Sequence, residues 1–423
     1  MANNVISSRK KIAIIGAGIS GLVAAKLLAP ENDIDVYEAN DYIGGHTRTI
    51  TVELEERSYN LDTGFIVYND WTYPNFVKLI TQNNIPSQPT TMSFSVSCEA
   101  TGLEYNGTSL NGLFAQRRNL LRPSFHKMIF DIMRFNREAK RFLKENKNSQ
   151  ISFRDFLKYF KFGAEIQDFY IYPMASAIWS ANPQAISMTP FHFFARFFEN
   201  HGMLNIQDRP QWRVIKGGSR EYIKVLTAGF KNKIRLNSPV KQIVRKNNSV
   251  EVKTSDAKKT FDYIVIAVHS DQALNLLSDP SREEREILGN ISYQKNEAIL
   301  HTDCTVLPKN KLAWASWNYH KTKKQVDHAC VTYNMNILQS LETSYTFCVS
   351  LNYRHRIDPK KIINSFTFSH PAITEKAILA QKRHHEINGE NRTFFCGAYW
   401  GFGFHEDGVN SSLKVCEHFG RGL

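Results

Sequence analysis

Residues 11–29, KIAIIGAGISGLVAAKLLA, followed by IDVYE at 34–38, limit the fold more than any other part of this chain. KIAII is a short β-branched apolar run, the pattern of a strand buried on both faces of a parallel sheet. It opens into Gly16-Ala17-Gly18-Ile19-Ser20-Gly21 and the helical run LVAAKLLA, and a second strand ends at Glu38. Gly16 permits the tight turn, Gly18 lets backbone approach a pyrophosphate, and Gly21 lets helix and strand pack closely. The helix N-terminus offers free N–H groups and a partial positive charge to the anion, with Ala17, Ile19 and Ser20 supplying the backbone there. Glu38 stands where it can accept hydrogen bonds from an adenosine ribose, and its charge repels a 2′-phosphate. Glycines alone would be a weak signal. The strand before them, the helix after them and the acid about twenty residues on make this a dinucleotide site in a Rossmann-type α/β domain.

The same stretch imitates a signal peptide or a membrane span, but its three spaced glycines and the strand that follows assign it to a folded domain. No other segment approaches a transmembrane length, so the sequence predicts a soluble, cytoplasmic protein. A chain of 423 residues makes two or three domains, or two lobes of interleaved segments. The net charge of +13 comes from scattered Lys and Arg. It reads as a solvated basic surface, with a membrane-facing or anion-binding surface as the alternative. No zinc-finger, RNA-recognition or basic-zipper pattern appears, so nucleic acid is not an expected partner. The six cysteines are far apart and form no CxxC pair, which argues against a disulfide framework or a metal site and for a reducing compartment.

NDYIGGHTRT (40–49) bears on which dinucleotide binds. Here the chain resembles the flavin amine oxidase superfamily, which includes monoamine oxidases, protoporphyrinogen oxidase and phytoene desaturases. The resemblance implies FAD, with Gly44, Gly45 and Arg48 at the pyrophosphate or flavin and Ala39 beside the ribose acid. It also implies that Val240, in SPVKQIV (238–244), meets the adenine through its backbone, and that Gly217-Gly218 in WRVIKGGSREYIKVL precedes a helix. The implied architecture is α/β and two-lobed: a Rossmann-type FAD domain from 8–75, 212–275 and 376–423, and an interleaved mixed α+β substrate domain from 76–211 and 276–375.

FFCGAYWGFGFHEDGVNSS (394–412) has many glycines and many rings. By the same resemblance, a strand ends at Gly397, the next loop passes the flavin, and a helix starting near Asp407, Gly408 and Val409 points its N-terminus at the pyrimidine ring. Tyr399, Trp400, Phe402 and Phe404 would then lie near the cofactor, while Phe394 and Phe395 suit a core. One departure stands out. Amine oxidases usually carry Gly-Glu where this chain has Gly397-Ala398, and their aromatic pair for a substrate amine is not recognisable, so amine oxidation is disfavoured.

DTGFIVYNDWTYPNF (62–76), HTDCTVLPKNKLAWASWNY (301–319) and GAYWGFGFHEDG (397–408) resemble a bacterial subgroup associated with cyclopropane-fatty-acid-synthase-like methyltransferases. One branch of that subgroup dehydrogenates methylated fatty acyl chains on the way to furan fatty acids. The resemblance implies a lipid substrate and a functional link to a fatty-acid methyltransferase. Desaturation needs hydride transfer to flavin N5 and loss of a proton, with the protein orienting the chain and excluding water. Candidate bases are His46, Tyr68, Asp62, His301, Asp303, His405 and Glu406, the last two foremost, with Tyr399 and Trp400 as cavity rings. A flavin-dependent double-bond isomerase and a non-catalytic flavin-binding partner of the methyltransferase are the alternatives. Residues 113–144 mix Lys and Arg with Phe, Leu, Ile and Met at helical spacing, and 189–202 is rich in Phe; both read as amphipathic core helices or as helices lying on a membrane.

Overall fold

In the computed structural model, which describes residues 9–145, 151–323 and 328–423, the strand–turn–helix–strand unit lies at the centre of a five-stranded sheet. The strand order is Ile234–Arg235, Asp33–Tyr37, Lys11–Ile15, Tyr263–Ile266 and Thr393–Phe395, with every pairing parallel. A parallel sheet must be covered on both faces. On one side lie the helix Ile19–Leu28 and the C-terminal helix His405–Glu417. The other carries a three-stranded antiparallel sheet within 242–261 and the helices Ser270–Leu276, Arg282–Gly289 and Glu375–Lys382.

The C-terminal helix begins at His405, two residues before the start expected at Asp407. Asp407 is the reason. Its carboxylate accepts the Phe404 N–H at 2.9 Å, so it acts from the third helical position and draws the start of the helix back towards Phe404.

The remaining layer is a mixed seven-stranded sheet, ordered Ile362–Pro371, Tyr293–His301, Cys348–Leu351, Val331–Asn334, Trp317–Lys321, Phe94–Cys98 and Glu104–Asn106. Against it pack the helices Pro123–Glu145, Phe153–Tyr159 and Phe191–Asn200, whose inner faces are rich in phenylalanine. Phe156 stacks on Phe191 at 3.5 Å between ring centres, and Phe153 on Phe194 at 4.2 Å. Such pairs add roughly 1 kcal/mol each beyond the area they bury. Residue 8, the expected start of the FAD domain, lies outside the described residues, as do 146–150 and 324–327 of the expected substrate domain. No helix among the described residues is long and apolar enough to cross a membrane. All six cysteines are unpaired, and only Cys304 is exposed.

A hairpin, Thr49–Leu54 with Arg57–Asp62, links the glycine loop at 44–45 to the second lobe. Fully buried Asp62 at its end accepts hydrogen bonds from Thr49 Oγ1 (2.6 Å), Ser219 N (2.9 Å) and Ser219 Oγ (2.8 Å), all at Oδ1. It thereby pins the Gly217-Gly218 turn that opens the helix Arg220–Thr227. This is a structural role, not that of the base the sequence offered. Burial pushes its carboxyl up to about 6 from the usual 3.8, with the hydrogen bonds pulling the other way. The folded chain therefore holds this proton more tightly than the unfolded chain. The resulting stability is present below pH 4 and lost as pH rises through 6. Asp62→Asn keeps an acceptor at the Oδ1 position and removes the charge. Urea unfolding is expected to show the variant gaining about 2 kcal/mol on the wild type between pH 4 and 7, whereas a pH-independent difference would refute this account.

Candidate cofactor and active site

Two glycine turns meet edge to edge. Gly44 N–H donates to Ala17 O at 2.8 Å, and Gly18 and Gly44 form a parallel bridge. Gly45 has φ +59°, and a Cβ there would lie 3.2 Å from the Gly18 Cα. Gly18 is different, since a Cβ on it would meet nothing within 4 Å. Its outer side is open space at the N-terminus of Ile19–Leu28, a helix with no side-chain cap and no acid in its first turn. Those N–H donors are free for an anion.

Glu38 braces this turn. One carboxylate oxygen accepts Ala17 N–H at 2.8 Å, and the other accepts Asn40 N–H at 2.9 Å and Asn40 Nδ2 at 2.7 Å. Ala39 beside it is exposed. Ser238 N–H donates to Glu38 O at 2.8 Å, which brings the Ser238–Val240 segment alongside. The Arg48 guanidinium lies 4.3 Å from the Tyr42 ring centre and 4.4 Å from that of Phe366. It forms no ion pair among the described residues, so its charge is left for a ligand.

The C-terminal helix crosses the first helix at the same place. A Cβ on Gly408 would lie 2.9 Å from both Ile19 Cγ2 and Ser20 Oγ, and Ser412 Oγ donates to Ser20 O at 2.7 Å. Val409 is fully buried in the core below. In the loop before it, a Cβ on Gly401 would be 2.1 Å from Asp407 Oδ1, and one on Gly397 would be 2.2 Å from the Tyr399 ring. The glycines of this segment are therefore sites of close approach, mostly to the protein's own side chains.

The rings of that loop divide. Trp400 turns under the parallel sheet and stacks on His384 at 4.0 Å, and Tyr399 is buried beside it in the same lower core. Gln381 Nε2 donates to the carbonyls of both Tyr399 and Gly401 and holds the loop down. Phe402 and Phe404 go the other way and join the aromatic helices, with Phe402 4.7 Å from Phe193 and Phe404 5.3 Å from Phe197.

The foremost candidate bases are both engaged by other groups of the protein. Glu406 accepts Asn75 N–H at 3.0 Å and Phe76 N–H at 2.8 Å, and so caps the helix Pro74–Gln82 from outside. His405 lies flat on Phe65 at 3.5 Å, and its Nε2 bonds Thr47 Oγ1 at 2.9 Å and Tyr222 OH at 3.0 Å. Burial, with His46 nearby, holds His405 well below the usual histidine range, so it is a neutral strut between the glycine loop and the C-terminal helix. Tyr68 is in the core against Phe76. His301 bonds Ser350, and Asp303 takes Lys361 and the Asp358 N–H, within the second sheet and away from the glycine turns.

His46 remains. Its ring lies 5.0 Å from Phe368, 5.4 Å from His370 and 6.2 Å from His269, and its Nε2 is buried without a hydrogen-bond partner. Burial first, then the neighbouring histidines, push His46 down to about 3 and His370 to about 4, and burial lowers His269 as well. All three are uncharged at neutral pH. Sequence reading missed His269 and His370. His269 carried a usable signal, since it follows Tyr263–Ile266 at the carboxyl end of a parallel strand, where ligands gather in such sheets. His370 carried none.

Open space at Gly18, uncapped helix donors, an unpaired arginine and an unpartnered buried nitrogen fit a large bound anion with a polar ring system. Residues 19–361 match the family model described as flavin containing amine oxidoreductase. The chain belongs to that family. It is an FAD-dependent oxidoreductase. Among solved structures, it is similar to cyclohexylamine oxidase from Brevibacterium oxydans IH-35A, at TM-score 0.70 and 14% identity, covering 97% of this chain and 98% of that one. It is also similar to the CLA-producing fatty acid isomerase from P. acnes, at TM-score 0.66 and 17% identity, covering 98% and 99%. At such identities these likenesses show the fold alone. A 79-residue stretch is 44% identical to Probable flavin-containing monooxygenase 1 of Arabidopsis thaliana, spanning 18% of this chain and 14% of that protein.

Two substitutions separate binding from folding. Gly18→Ala adds a Cβ that meets no protein atom within 4 Å, and is expected to leave the circular dichroism spectrum unchanged while FAD affinity falls at least about tenfold, because the methyl occupies the space the pyrophosphate needs. Unchanged FAD binding by titration would remove Gly18 from the site. Glu406→Gln should cost about 1–2 kcal/mol through the lost cap and lower the melting temperature by a few degrees. Its flavin absorbance should stay the same, and a selective loss of flavin reduction would restore Glu406 as a catalytic group.

Proposed function

We propose that this oxidoreductase dehydrogenates a lipid acyl chain, such as a methylated or unsaturated fatty acyl group. The observation that carries the reading is the apolar aromatic layer that the flavin loop joins. Phe402 and Phe404 continue into the phenylalanine layer. His46 and the two histidines beside it are uncharged, and the carboxylates of Glu406 and Asp407 are engaged by backbone N–H groups. An apolar chain needs no counter-ion there, and burying it against these rings is favourable by roughly 0.8 kcal/mol per methylene.

Bound FAD supplies the hydride acceptor. We assign its pyrophosphate to the turn Gly16–Gly21 with Gly44, Gly45 and Arg48, its ribose to Glu38, and its adenine side to Val240. The hydrogen-bonded set Thr47, Tyr222 and His405 keeps the glycine loop in register with the C-terminal helix. His46 Nε2, uncharged and unpartnered, offers a hydrogen bond without storing a proton. The phenylalanine layer excludes water and aligns the chain. A fatty-acid methyltransferase that prepares the substrate would be the functional partner.

A second reading, double-bond isomerisation, is favoured by the full-length likeness to a fatty acid isomerase. The test is the anaerobic visible spectrum of the purified protein before and after adding lipids with unsaturated and methylated acyl chains. Dehydrogenation should bleach the oxidised flavin band and yield a product two hydrogens lighter. A product of unchanged mass supports isomerisation. Bleaching by simple amines and not by these lipids would overturn both.

A further inference from the structure

The helix Pro123–Glu145 has two faces that break the usual rule. Its inner face buries Phe125, Met128, Phe135 and Phe142 against the aromatic layer. The outer face of such a helix is ordinarily polar. Here His126, Phe130, Met133, Arg137, Arg141 and Lys144, spaced three or four apart, form one outward stripe. Phe130 is 62% exposed and Met133 46%, and just before the helix Leu120 and Leu121 are 49% and 88% exposed.

The charges around this apolar stripe are one-sided. Residues 117–144 contain nine Lys and Arg against two acids, Asp131 and Glu138. Both acids are nearly buried and already paired, Asp131 with Lys127 and Arg134, and Glu138 with Arg137 and Arg141. The other five cations, Arg117, Arg118, Arg122, Lys140 and Lys144, form no ion pair among the described residues. Exposed apolar side chains inside an unneutralised cationic rim complement an anionic lipid surface, where the rings enter the acyl boundary and the cations meet phosphate. A soluble acidic protein would match the charge and leave Leu120, Leu121, Phe130 and Met133 unexplained.

We propose that the segment 117–144 docks the protein on an anionic phospholipid bilayer, with Leu120, Leu121, Phe130 and Met133 inserted at the interface. The inner face of the same helix belongs to the phenylalanine layer that reaches Phe402 and Phe404, so the docked surface lies one helix away from the candidate site. The proposal gives the acyl-lipid reading a route for its substrate, but the docking itself does not depend on that reading.

The experiment is co-sedimentation of the full chain, carrying its FAD, with vesicles of phosphatidylcholine alone or mixed with phosphatidylglycerol. Partitioning to the mixed vesicles should be at least about tenfold stronger and fall steeply between about 0.1 and 0.5 M salt. The double substitution Phe130→Ser with Met133→Ser should lower it about tenfold at unchanged melting temperature and flavin absorbance, since both side chains are exposed. Wild-type protein that ignores anionic vesicles, or a variant that binds them fully, overturns the proposal. So does light scattering in which the substitutions split a dimer, which would assign the face to a second copy of the chain. Flavin bleaching by a short, water-soluble acyl substrate should be the same in variant and wild type, so failure of docking and failure of the acyl-lipid reading give different results.

Discussion

The structure depends on one backbone contact, the hydrogen bond from Gly44 N–H to Ala17 O that joins the two glycine turns. Gly45 lets the turns meet this closely, since a Cβ on it would lie 3.2 Å from the Gly18 Cα. The hairpin ending at Asp62 leaves from one side of this contact and carries the chain to the second lobe. The C-terminal helix lands on the other side, with Gly408 against Ile19 and Ser20. Three distant parts of the chain thus converge on a few ångströms of bare backbone, and bare backbone suits an anion.

The groups around that convergence do different kinds of work. Glu38, Asp62, Glu406 and Asp407 are buried or partly buried acids, and each spends its carboxylate mainly on backbone or hydroxyl donors of the protein itself. They hold loops in place. His46, His269 and His370 are kept neutral by burial. The region is polar enough to orient a cofactor.

The outer helix shows the same logic at the surface. Asp131 and Glu138 are turned inward and paired, so the solvent side of residues 117–144 is left cationic with hydrophobic side chains among the charges. Composition alone reads this segment as an ordinary amphipathic helix. The burial and pairing of its two acids show that the outward cations are not offset.

The sequence by itself determined the Rossmann unit and the amine-oxidase fold. Strand, glycine turn, helix and acid are neighbours along the chain, and their spacing has one physical interpretation. The resemblance through Gly44, Gly45 and the C-terminal glycines extended that to the whole architecture. Tertiary structure decided the roles of His405, Glu406, Tyr399 and Trp400. Each is next to the flavin loop in sequence, yet Glu406 faces a helix more than three hundred residues away in the chain, and Trp400 faces His384 beneath the sheet. His370 entered the candidate site only through the pairing of strands. Local pattern fixes what a segment becomes, but the side on which a side chain finds its partner depends on how distant segments pack, and single-sequence periodicity does not carry that information.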